Sequence, residues 1–144
     1  MRGSILILTM LLAGACTGLN DKQRPSATEG QQVSVAFAET LIEEGIPLTP
    51  VLTIDDGVLG VPDHVYDLPD RSEIRIFQFL SDAAAVEAAD EISPDGSMIG
   101  TKKILWSSSP RYYRKDQTIL VQLGGDEDLS DKLEQILGPP FASQ

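Results

Sequence analysis

Val33, Phe37 and Leu41, joined by Ala38 and Ile42, recur at steps of three and four residues, the spacing of an amphipathic helix over residues 32–44. Gly45 follows where a helix can stop in the left-handed conformation. Pro47 and Pro50 then hold the chain extended. Residues 51–54 suit an edge strand, closed by an Asp55-Asp56-Gly57 turn. "HVYDLPDRSEIRIFQFL" predicts a hairpin, with a strand over 65–68, a turn over 69–72 and a second strand over 73–80. In that second strand Ile74, Ile76, Gln78 and Leu80 share one face, while Arg75, Phe77 and Phe79 share the other. Apolar side chains on both faces mark it as central.

Ser81 is placed to cap a second helix, "DAAAVEAADEI", with Asp82 in its first turn complementing the dipole. Its alanines allow close approach to a sheet, and Pro94 and Gly96 end it in a loop. "TKKILW" and "TILVQLGG" read as strands on either side of "SSSPRYYRKD", with residues 111–114 extending the second across a turn at Lys115 and Asp116. Leu129, Leu133, Ile136 and Leu137 give a last helix at i, i+4, i+7, i+8. Asp126, Glu127 and Asp128 crowd its start, and Gly138-Pro139-Pro140 stops it. Hairpin strands interrupted by helices predict an α+β fold: an antiparallel sheet of about four to five strands with helices packed mainly on one face.

Ahead of this domain the pattern changes. Arg2 supplies one positive charge and "SILILTMLLAGA" an apolar run, too short for the roughly 20 residues a membrane-spanning helix takes. A charged start, a short apolar stretch and small residues at its end are the layout of a secretory signal peptide. Ala13, Gly14 and Ala15 stand directly before Cys16, the only cysteine of the chain. With Leu11 and Leu12 ahead of them, this segment resembles the signal of bacterial lipoproteins, although the usual Leu three places before the cysteine is here Ala13. The resemblance implies a signal peptide over 1–15, a diacylglycerol on the Cys16 thiol and acylation of the new amino group. Thr17 in place of Asp implies, in an organism with two membranes, sorting to the outer one. "ISPDGSMIG", "SPRYY" and "LGPPFA" are similar to stretches of small uncharacterised bacterial lipoproteins, a resemblance that brings no activity with it. Residues 17–32, "TGLNDKQRPSATEGQQ", hold one Leu and no aromatic, so they read as a flexible tether that cannot offset the entropy of ordering. The domain is then a single unit over 33–144.

The chain of 144 residues carries a formal net charge of −11. An acidic chain repels the phosphate backbone, so nucleic acid is excluded as a partner, and a lone cysteine excludes a disulfide framework. Little catalytic chemistry is legible. His64 is the sole histidine, and no serine sits on a G-x-S-x-G turn. Asp126, Asp128 and Ser130 have the alternation of a calcium loop, but the sixth and twelfth places hold Asp131 and Leu137 instead of Gly and Glu. Helix capping explains those acids. Asp55 and Asp56 have the claim of any solvated acidic turn, and no cofactor or metal is implied.

One uneven feature remains. Lys102, Lys103, Arg111, Arg114 and Lys115 are half of the ten basic residues after Cys16, packed into fourteen positions, with Trp106, Tyr112 and Tyr113 among them. Pairing of the "TKKILW" and "TILVQLGG" strands brings these groups together on one hairpin, a surface for an envelope protein or an anionic polymer. The bland alternative is solvated bases outside and Trp106 in the core. The sequence therefore predicts a lipid-anchored extracytoplasmic lipoprotein of the cell envelope, its domain a non-catalytic binding module. The alternatives are an envelope hydrolase using acidic residues and a structural subunit of an envelope complex.

Overall fold

The computed structural model describes residues 27–144. The apolar leader, Cys16 and most of the expected tether lie outside the described residues. Three helices and eight strands follow in the order α1 (Ala27–Glu43), β1 (Thr49–Ile54), β2 (Asp63–Asp67), β3 (Glu73–Gln78), α2 (Asp82–Asp90), β4 (Met98–Ile99), β5 (Lys102–Lys103), β6 (Pro110–Lys115), β7 (Thr118–Leu123), α3 (Glu127–Leu137) and β8 (Ala142–Ser143). The expected elements recur, with α1 starting five residues earlier than the hydrophobic spacing alone indicates. Gly45 ends it at φ 90°.

The fold is α+β. The main sheet has six strands in the order β1-β2-β3-β7-β6-β8, every neighbouring pair antiparallel, and β4 and β5 form a separate two-stranded sheet. That is more than the four to five strands expected, because the C-terminal "FASQ" adds β8 beside β6. β3 lies between β2 and β7, as its two-faced apolar pattern requires.

Strand alternation divides the core in two. Ile74, Ile76, Leu120 and Tyr113 point to the face covered by α1 and α3, where Ala38, Leu41, Leu129 and Leu133 meet them. Phe77, Ile119, Val121 and Tyr112 point to the opposite face, covered by α2 through Ala85 and by the segments around Ile92, Ile99 and Trp106. Helices thus lie on both faces, two on one side and one on the other. The alanine-rich α2 is what lets a second apolar face close: Ala84, Ala88 and Ala89 pack where larger side chains would hold the helix off.

Caps fix both later helices. The Ser81 hydroxyl accepts from the backbone N–H of Ala84 at 3.1 Å, and the Asp126 carboxylate from that of Leu129 at 3.0 Å. Each such cap contributes about 1 kcal/mol. Asp126 therefore caps α3, as the acid-rich start of the helix implied. Between β7 and α3 the chain turns on Gly124 and Gly125; a Cβ on Gly125, at φ 91°, would lie 2.7 Å from Leu129 Cδ2. Just before the turn, buried Gln122 donates to the Gly124 carbonyl at 2.9 Å and to Ser130 Oγ at 3.0 Å, and accepts from the Tyr113 hydroxyl at 3.1 Å. A buried amide with its partners satisfied locks the junction instead of destabilising it.

Candidate functional site

The basic and aromatic residues of 102–115 do not assemble as one hairpin surface. β7 takes β6, not the Lys102 strand, as its neighbour, through a two-residue turn at Asp116 and Gln117. Lys102 and Lys103 pair instead with Ile99 and Met98 in the small sheet. The reason is local. Gly96 and Gly100 both take positive φ, and Ile104 donates its backbone N–H to the Ser97 carbonyl at 2.9 Å, so residues 91–104 close on themselves.

Tyr112 and Tyr113, adjacent in β6, point to opposite faces, and both are fully buried. Neither reaches the surface for which the sequence proposed them. Arg111 is half-buried and on the same face as Tyr113, whose phenol burial raises while the Arg111 charge opposes the rise. Arg114 pairs with Asp82 at the start of α2, 2.7 Å away. Lys115 donates to the Ile136 carbonyl at 2.9 Å, in the last turn of α3 where a cation complements the helix dipole. Arg114 and Lys115 thus tie β6 to α2 and α3. Lys102 and Lys103 are exposed and make no ion pair among the described residues. Beside them Leu105 is 86% exposed.

Trp106 is half-buried over the α2 face of the sheet. Its indole N–H donates to the Tyr112 hydroxyl at 2.8 Å, and that hydroxyl donates to the Gly96 carbonyl at 3.1 Å. Burial pushes the Tyr112 phenol up to about 12; the negative charge of Asp95 adds to the shift and the Trp106 N–H opposes it. Asp95 itself is held well below the usual carboxylate range, at about 2, by hydrogen bonds from Ser93 and Ser97. Those bonds shape the turn carrying Gly96. A Cβ there would sit 2.5 Å from Tyr112 Cε2, so this position admits only glycine without movement of the ring.

Trp106 also covers an ion-pair network that sequence reasoning missed. The Arg75 guanidinium carbon lies 5.2 Å from the indole centroid. Its Nη1 donates to Asp63 Oδ2 at 2.8 Å and its Nε to Glu73 Oε1 at 2.5 Å. Asp63 is 1% exposed, and its Oδ1 has no hydrogen-bond partner among the described residues. Burial raises the Asp63 carboxyl above its ordinary value, with Arg75 opposing. Arg75 is held more firmly protonated by the two carboxylates, which outweigh its own burial. The signal was present: an arginine in a strand with apolar residues on both faces needs a buried anion opposite. The alternation of β2 puts Asp63 and Asp67 on that same face.

The remaining candidates are structural. His64 lies on the other face, with Nδ1 3.0 Å from Thr53 Oγ1, and burial lowers its basicity. Ser130 is drawn into the Gln122 contact, away from Asp128. Among the described residues no group of three or more His, Cys, Asp or Glu is arranged to hold a metal ion. An open cleft of about 640 Å³ between α3 and the β2–β3 turn has Ile46, Leu68 and Leu129 in its lining with Asp70, Asp128 and Asp131. It shares no residue with the basic segment. Comparison of the chain with family models, curated proteins and solved structures finds no match.

Proposed function

We propose that this protein is an extracytoplasmic lipoprotein of the cell envelope, held to a membrane by acyl chains on Cys16, with a non-catalytic binding module as its domain. The observation that carries the reading is the placement of the sole cysteine directly behind an apolar run and Ala13-Gly14-Ala15. A thiol used once, at that place, fits conversion to a thioether. Two or three acyl chains anchor stably because each buried CH₂ contributes about 0.8 kcal/mol.

Several features of the domain support a binding role over catalysis. The one histidine is tied to Thr53 inside the β1–β2 ladder. The buried carboxylate of Asp63 is committed to Arg75. Arg114 and Lys115 are tied to Asp82 and the Ile136 carbonyl, while Lys102, Lys103 and Leu105 form a small, exposed cationic and apolar tip at the β4–β5 hairpin. It suits an anionic envelope polymer or the acidic rim of an envelope protein. The surface proposed here is thus narrower than the whole segment, with Trp106 and Tyr112 serving as its support.

The test is fractionation of cells producing the intact chain and its Cys16→Ser variant. Lipid anchoring predicts the parent in the membrane and detergent phase, and the variant unmodified at precursor mass. Equal behaviour of the two forms would contradict it.

A further inference from the structure

The two edges of the main sheet differ. One is β8, two residues long, which blunts its side. The other is β1, six residues long, every one exposed, with Val51 and Leu52 each at 51% and Ile54 at 40%. No residue of β1 is charged, in a chain of net charge −11. Edge strands are ordinarily protected by charge, proline, bulges or brevity, because alternate residues turn unpaired N–H and C=O groups outward. β1 has such protection only at its start, where Pro50 and a shift of register between Pro50 and Leu52 interrupt the ladder. Leu52, Thr53 and Ile54 continue in regular register with Val65, His64 and Asp63.

We propose that β1 is a self-association edge, pairing antiparallel with β1 of a second copy about a two-fold axis through Thr53. Over the regularly paired residues Leu52, Thr53 and Ile54, this is the one register that opposes all three to one another. A two-fold perpendicular to the sheet must pass through a residue, so that side chains facing each other lie on the same face. With Thr53 on the axis, Leu52 faces Ile54 of the second copy twice over, and Thr53 faces Thr53. Aliphatic and Thr–Thr cross-strand pairs are both favourable. Asp55 and Asp56 then lie toward the irregular Pro50–Val51 segment, so no acid stands opposite an acid. The uncharged strand is a place where two strongly acidic molecules can approach, and nothing in it selects a charged partner. The interface is isologous and closes at two copies. A pairing of this length lies at the small end of specific interfaces, so the dimer is weak and reversible. It does not depend on the lipid anchor or on the Lys102 surface.

The experiment uses the full-length chain in non-ionic detergent with Cys16→Ser, so that an added cysteine is the only thiol. Directly opposed residues in an antiparallel pair have Cα atoms about 4.5–5.5 Å apart, within disulfide reach. Mild oxidation is expected to give a covalent dimer from Thr53→Cys. A mixture of Leu52→Cys and Ile54→Cys chains, which leaves the Thr53 contact with His64 intact, is expected to give a mixed dimer. Leu80→Cys, 58% exposed and outside the strand, is expected to give none. In sedimentation, Leu52→Lys is expected to weaken the dimer about tenfold or more by placing charge in both cross-strand pairs. A chain that sediments as a monomer throughout would overturn the proposal. So would cross-linking from Leu80→Cys equal to that from Thr53→Cys, or a dimer indifferent to Leu52→Lys.

Discussion

The indole N–H of Trp106 and the buried hydroxyl of Tyr112 are joined at 2.8 Å, and through that one oxygen the loop before β6 is fastened to the sheet. The hydroxyl serves two partners, since it also donates to the Gly96 carbonyl. Tyr112→Phe keeps the ring in its slot but leaves the indole N–H and the carbonyl without their partner. Leaving buried polar groups unsatisfied costs about 1–3 kcal/mol each, so chemical denaturation of the variant is expected to show a loss within or slightly above that range. The single tryptophan reports the same event through its emission. The raised Tyr112 ionisation makes a further signature: stability present below pH 10 falls as pH rises through about 12, because the unfolded phenol gives up its proton first.

Arg75 and Asp63 are unequal partners. Removing the guanidinium with Arg75→Met strands a carboxylate that is 1% exposed, and breaking a buried pair this way costs about 3–5 kcal/mol. Asp63→Asn is expected to cost less, since Arg75 keeps Glu73 and some contact with water. The Asp63 carboxyl, already raised by burial, rises further without its cation. The deficit of Arg75→Met is therefore expected to shrink on acidification, as the stranded carboxyl takes up a proton. Denaturant midpoints measured across acidic and neutral pH check both the order of the variants and the direction of the trend.

His64 gives a second pH dependence of opposite sign. Its folded-state basicity is lowered by burial, so the unfolded chain binds the proton more readily once pH drops below the ordinary value of 6.5. Stability attributable to this residue is present above 6.5 and is lost as pH falls through the lowered folded value. An NMR titration of the one imidazole is expected to show a midpoint below 6.5. A midpoint at or above 6.5 would contradict the burial argument.

Lys102 and Lys103 are expected to act separately from the other bases of their segment. Reversing both to Glu should leave the fold intact, because neither makes an ion pair among the described residues, and should abolish salt-sensitive retention on an anionic envelope polymer. Reversing Arg114 should instead cost some stability, through Asp82, without affecting that retention. Equal loss of retention in both variants would return the surface to the wider segment.

Much of the fold was legible because its signals are local. The alternation of "EIRIF" placed β3 at the centre, Ser81 and Asp126 announced their helices, and Leu129 with Leu133 gave α3 its buried stripe. What periodicity could not supply was partnership. The "TKKILW" stretch reads as a strand, but whether it lies beside β7 or folds back on Met98 and Ile99 is decided by glycine turns and by competition with β6 for the same ladder. Tyr112 and Tyr113 looked like part of a binding surface because aromatic residues among clustered bases are the types enriched at interfaces. Adjacent strand residues face opposite ways, and helices on both sides of the sheet left neither exposed. The three-layer arrangement was missed because an alanine-rich helix carries little hydrophobic signal of its own. The Asp63 and Arg75 pair was missed because it spans two strands whose register only the folded chain reveals.

Mass spectrometry of the protein extracted from membranes reads where the mature polypeptide begins. Lipid anchoring at Cys16 is expected to give a chain that begins at Cys16 with a diacylglycerol thioether and lacks residues 1–15. A mature chain that starts elsewhere, or one that carries Cys16 as an unmodified thiol, would contradict it.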